Sequence, residues 1–159
     1  MIEAVKIEGM AELNRALKKF GGDAEVEVMK ALEATGLEAR GEIAKGYSRG
    51  PASGAVYKIA GPPKRTHQAS AAGEAPATDT GNLASHTVYR VDRSERLTVE
   101  IENKAKTAGG RWFYGWLLEF GTRRIRPRPL WRPVRDRLEP KMWKRVRDAV
   151  ARTTRKAGG

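Results

Sequence analysis

The chain has 159 residues, enough for one domain and too few for two independent cores. Hydrophobic residues make up 40%, which marks a globular chain, and the lack of any cysteine excludes disulfide staples and thiolate metal sites. Net charge is +12, and the excess lies in residues 101–159, where 17 Lys/Arg stand against 5 Asp/Glu, so an anionic partner is implied.

The opening MIEAVKIEGMAEL carries acids early and no apolar run, so it does not read as a signal peptide. No stretch approaches the ~18–20 apolar residues of a membrane helix. Val5 and Ile7 alternate with Lys6 and Glu8, predicting a short strand ended by Gly9. Met10, Leu13, Leu17 and Phe20 follow helical spacing up to Gly21-Gly22. Asp23 then serves as N-cap of a longer helix. Its apolar stripe is Met29, Leu32, Gly36, Ala39, Ile43 and Tyr47, with small residues where another segment can approach closely.

From Ser48 to Gly81 the chain is rich in Gly, Pro, Ala, Ser and Thr, with a strand-like island at Val56–Ile59. A loop of that length inside a compact domain is functional or linking, and it is expected to order against a neighbouring subunit. Thr87–Val91 and the alternating Leu97, Val99 and Ile101 predict a half-buried hairpin across a polar turn at Asp92–Arg96. Trp112–Phe120 is the most apolar segment. Pro127, Pro129 and Pro133 punctuate the basic run that follows. A last helix is expected over about 133–156, with Leu138, Met142, Val146, Ala149 and Thr153 on one face and a kink or break at Pro140. The order β-α-α-loop-β-β-α-α predicts an α+β fold: one domain over 1–159, a small antiparallel sheet flanked by helices, a long loop at 48–81 and a basic arm and helix at 122–156.

Catalytic patterns find no match. No phosphate-cradling Gly-rich loop is present. His67 and His86 are the only imidazoles and show no zinc spacing. His67, Ser70 and Asp79 suggest a triad, and Glu74 with Asp79 a carboxylate pair. Both sets fall in the long loop, without the rigid support such chemistry needs. Glu119 differs, being embedded in Trp116, Leu117, Leu118 and Phe120. A buried carboxylate needs a partner, and one of the arginines over 123–128, of the same or an adjacent subunit, is expected to supply it. Arginines interleaved with Trp112, Trp116, Trp131 and Trp143 fit either nucleic-acid contact or an assembly surface. They form no recognition helix, which predicts association and only weak, salt-sensitive binding to random duplex.

Four patches together resemble the tail-completion or neck proteins of long-tailed bacteriophages, typified by the tenth gene product of a lambda-like coliphage. They are His67-Gln68-Ala69-Ser70 with Gly73-Glu74-Ala75-Pro76; Asp79-Thr80-Gly81-Asn82-Leu83; Tyr114 through Glu119-Phe120-Gly121-Thr122; and Arg128-Pro129-Leu130-Trp131-Arg132-Pro133. The similarity spans about residues 3–155. Leu130 stands where the family usually has an aromatic, and Val134 where it has alanine. In this reading Thr80 and Gly81 turn the chain out of the long loop and, with Asp79, cap whatever element begins at Leu83. Gly121 reverses the backbone with positive φ, and the prolines stiffen an arm suited to lying across a neighbour.

The resemblance implies a structural virion protein forming a homo-oligomeric, hexameric ring at the head–tail junction. Its expected partners are the head-closing connector, the tail terminator and tube, and non-specifically the passing genomic DNA. It implies no cofactor, no catalytic or metal site, no membrane, and assembly in the host cytoplasm. The alternatives are a stand-alone basic DNA-binding protein and an assembly factor absent from the mature particle.

Overall fold

The computed structural model describes residues 15, 22–59, 64–92, 98–106, 110 and 113–157. The expected strand at Val5–Ile7, the helix over Met10–Phe20, and Leu97 and Trp112 lie outside the described residues. The fold is α+β. Helix α1 (Gly22–Arg49) is followed by strands β1 (Val56–Ile59) and β2 (Arg65–Gln68), then by the single-turn helix α2 (Asn82–Ser85). Strands β3 (Thr87–Asp92) and β4 (Thr98–Asn103), helix α3 (Tyr114–Phe120) and helix α4 (Trp131–Ala157) complete the order.

The frame is the antiparallel pair of α1 and α4. Every residue of the expected α1 stripe is buried, from Met29 to Tyr47. On α4 the expected face holds through Leu138, Met142, Val146 and Ala149, with Val134 added at its start. The early half of α1 packs Val28 and Leu32 against Met142, Val146 and Ala149. Its later half packs Ile43 and Tyr47 against Leu130, Val134 and Leu138. Burial of each such aliphatic side chain is worth about 1.5–3 kcal/mol. Along the rim Glu27 pairs with Arg152 and Glu42 with Arg137. Between them Glu38 pairs with Lys141 at 3.3 Å and Arg145 at 2.7 Å. The hydrogen bond from Arg145 holds the Glu38 carboxyl below its ordinary pKa.

The predicted hairpin is present, with Tyr89 opposite Ile101 and Val91 opposite Val99. Val91 and Val99 pack on the first core and Ile101 on the second, so this sheet lies along α1. The small residue in the α1 stripe has a clear reason: a Cβ on Gly36 would sit 2.3 Å from Val99 Cγ1.

Three expectations change. The sheet is not single: the island at Val56–Ile59 pairs antiparallel with Arg65–Gln68, making a second two-stranded sheet inside the segment read as loop. Pro140 does not split α4, which runs unbroken through it. Pro140 and Asp136 both face solvent, so the Asp136 carbonyl that loses its helical donor can be hydrated. Asp23 falls within the first turn of α1, where its charge suits the helix dipole, because the helix already includes Gly22.

Candidate functional site

The four patches are separated by up to 66 residues of sequence, yet the fold ties them into one unit where α1 ends and α4 begins. The connections are hydrogen bonds, most of them to backbone groups, together with packing on the second core.

Glu119 closes α3 and is 4% exposed. Its Oε2 accepts the backbone N–H of Leu130 at 2.7 Å and of Trp131 at 3.0 Å, and its Oε1 accepts that of Arg132 at 3.1 Å. The next residue, Pro133, has no N–H to satisfy, and Val134 N–H donates to the Leu130 carbonyl at 3.3 Å. Every donor at the start of α4 is thereby accounted for. The expectation of an arginine partner is corrected. Among the described residues the carboxylate is held by three backbone amides, where the helix dipole also favours negative charge. The arginine nearest in sequence to these donors, Arg132, instead lies over the Phe120 ring at 5.0 Å.

The turn after α3 has the geometry expected of it. Gly121 has φ 74°, and a Cβ there would stand 2.7 Å from the Ile125 carbonyl oxygen. Thr122 Oγ1 accepts the amides of Arg124 and Ile125 at 3.1 and 3.0 Å, closing the loop. The arm that follows is anchored on its own domain. Arg128 N–H donates to Leu118 O at 2.7 Å, and Arg128 Nε to Ser70 O at 3.1 Å. Gly73 N–H donates to Pro127 O at 2.9 Å. Pro129 sits between these anchors and the α4 start. The two departures from the family pattern are both core residues: Leu130 is 8% and Val134 4% exposed, and a Cβ on Gly46 would meet Leu130 Cδ1 at 2.5 Å.

The remaining patches are tied in similarly. Glu74 Oε2 accepts Ala71 N–H at 3.0 Å and the Ser53 hydroxyl, closing its own turn. Asp79 does not cap α2; it receives both arms of the Arg65 guanidinium. Gly81 precedes α2 with φ 73°, and the Thr80 hydroxyl accepts Asn82 N–H at 3.4 Å. Leu83, half-buried on the second core, gives its carbonyl to Thr87 Oγ1 at 2.8 Å and Asn103 Nδ2 at 2.6 Å. Sequence reasoning did not single out Asn103, although a polar residue ending a strand is a signal of such a link. Tyr47, buried at the end of α1, accepts Trp131 Nε1–H at 2.7 Å. Burial raises its phenol pKa, the Trp131 donor opposes that, and the Glu119 charge adds to it. Gly115 sits against this hydroxyl, where a Cβ would come within 3.1 Å.

No triad forms: His67 Nδ1 lies 3.8 Å from Asp79, and the buried Ser70 Oγ has no hydrogen-bond partner. Among the described residues no group of three or more His, Asp or Glu is placed to hold a metal, and no helix is long and apolar enough to cross a membrane. The unit's exposed side is aromatic and basic. Tyr114, Trp116 and Phe120 are 40, 46 and 49% exposed, and the Trp116 and Phe120 rings lie 5.2 Å apart. No protein-family model, curated protein or solved structure matches the chain.

Proposed function

We propose that the chain is a structural subunit of the head–tail junction of a long-tailed bacteriophage, acting by assembly into a ring and not by catalysis. One observation carries the reading. Three of the patches that resemble the tail-completion family hold one another by hydrogen bonds, Glu119 to Leu130–Arg132 and Arg128 to Leu118 and Ser70, and the fourth packs Leu83 on the core that holds Leu130. Glu74 and Thr122 close turns and Glu119 caps α4, a use that builds a rigid shape.

The β1–β2 hairpin is the element that reaches a neighbour. Val56 and Tyr57 are 63% and 53% exposed on it, and a two-stranded hairpin alone is marginally stable in water. An adjacent copy that covers these side chains completes it. In this reading the ring sits between the head-closing connector and the tail tube, in the virion. Mass spectrometry and electron microscopy of intact particles test it. The protein should be present in several copies at the head–tail joint, whereas its absence from mature particles would assign it to an assembly factor.

A further inference from the structure

The chain's positive charge is not spread evenly over its surface. Along α4 four bases are met by α1 acids: Arg137 by Glu42, Lys141 and Arg145 by Glu38, Arg152 by Glu27. In the turn after α3 and at the start of α4, four arginines are not met. Arg123, Arg124, Arg126 and Arg132 are exposed, and none belongs to an ion pair among the described residues. The turn closed by Gly121 and Thr122 presents the first three within four residues of chain. The fourth rests on Phe120, which neighbours the half-exposed Trp116. The α4 N-terminus, otherwise the natural anion site here, is already filled by the Glu119 carboxylate. An incoming anion must therefore be gripped by the guanidinium groups themselves.

We propose that Trp116, Phe120, Arg123, Arg124, Arg126 and Arg132 form a surface that binds the phosphate backbone of nucleic acid without reading its sequence. A second copy cannot meet this surface with its own, since like charges would face each other. An acidic protein partner fits less well, because the Asp and Glu it would have to supply are depleted in protein interfaces, whereas nucleic-acid interfaces are strongly positive on the protein side. Guanidinium forks match phosphate oxygens, and exposed aromatic rings stack on unpaired bases. No helix here presents a row of side chains to a groove, so sequence goes unread. The inference rests on charge placement and holds whether or not the chain forms a ring.

The test is fluorescence anisotropy of the full chain with two probes: a random-sequence duplex of about three helical turns, and oligo(dT) of the same length. Binding should weaken steeply between about 50 and 200 mM salt. Arg123→Ala/Arg124→Ala/Arg126→Ala should weaken both probes about tenfold or more. It should also lower the salt slope by about 0.9 for each phosphate no longer neutralised. Trp116→Ala should weaken oligo(dT) about fivefold or more and change duplex binding little. Arg147→Ala/Arg155→Ala is the control: Arg155 lies 23 residues along α4 from Arg132, about 35 Å away, and binding should stay within about twofold. The loop arginines are exposed, so an unchanged melting curve will show the triple variant folded, with Arg124→Glu as a second variant. Undetectable binding at low salt, triple-variant binding equal to wild type, or equal competition by poly-L-glutamate at matched charge would each overturn the proposal, the last by identifying an acidic protein as the partner.

Discussion

The carboxylate of Glu119 accepts the backbone N–H of Trp131 at 3.0 Å, across twelve residues of sequence. Helix α4 opens with Leu130-Trp131-Arg132-Pro133, none of which can cap it with its own side chain. Glu119 supplies that cap from another helix, and both oxygens are used. Glu119→Gln removes the charge and turns one acceptor into a donor facing an N–H. The expected cost is about 2–4 kcal/mol of folding stability, read as a lower denaturation midpoint. Unchanged thermal stability would mean that the cap does not hold α4.

Gly121 and Gly73 separate conformational strain from collision. Both have positive φ, but a Cβ on Gly73 meets open space, whereas one on Gly121 meets the Ile125 carbonyl oxygen at 2.7 Å and Pro127 N at 3.0 Å. Those are backbone atoms that cannot swing aside. Gly73→Ala should cost about 1 kcal/mol and Gly121→Ala about 2–3 kcal/mol. Equal losses in chemical denaturation would show that the turn yields more easily than its geometry implies.

The parts of the fold legible in the sequence are those written as periodicity. The stripe from Met29 to Tyr47, the alternation of Val99 and Ile101 in the hairpin, and the face from Leu138 to Ala149 each turn one side to the core at helical or strand spacing. Arg65-Thr66-His67-Gln68 has no such rhythm because its side chains are mostly exposed, so strand β2 left no trace. The role of Glu119 was half legible. Apolar neighbours marked it as buried, and charge suggested an arginine, but its partners are amides that every residue except proline carries. The usable signal was a helix start with Pro133 in its first turn and no capping side chain of its own.

Pro140 offers a gain of stability. Pro140→Ala restores the donor to the Asp136 carbonyl in a helix that is already continuous. Because Asp136 and Pro140 face solvent, where water can satisfy that carbonyl, the gain should be about 1–2 kcal/mol, below the full proline penalty. A rise in the thermal midpoint checks this, and a fall would show that the ring fills a packing role.

The hairpin supplies a readout of assembly. Lys58, Lys64 and Arg65 are exposed on or beside β1 and β2, so limited trypsin digestion should cut there in isolated subunits. Intact particles should resist at the same sites if a neighbour covers Val56 and Tyr57. Equal cleavage of both forms would remove the hairpin from the interface.

Sedimentation velocity of the full chain over a concentration series, with native mass spectrometry, tests ring formation most directly. The monomer is 17.6 kDa, and assembly into a ring predicts one discrete closed oligomer, a hexamer, with no ladder of intermediate sizes. A variant with Val56 and Tyr57 both changed to Ser should sediment as folded monomer. A chain that stays monomeric at every concentration, or an open-ended series of polymers, would contradict assembly into a ring.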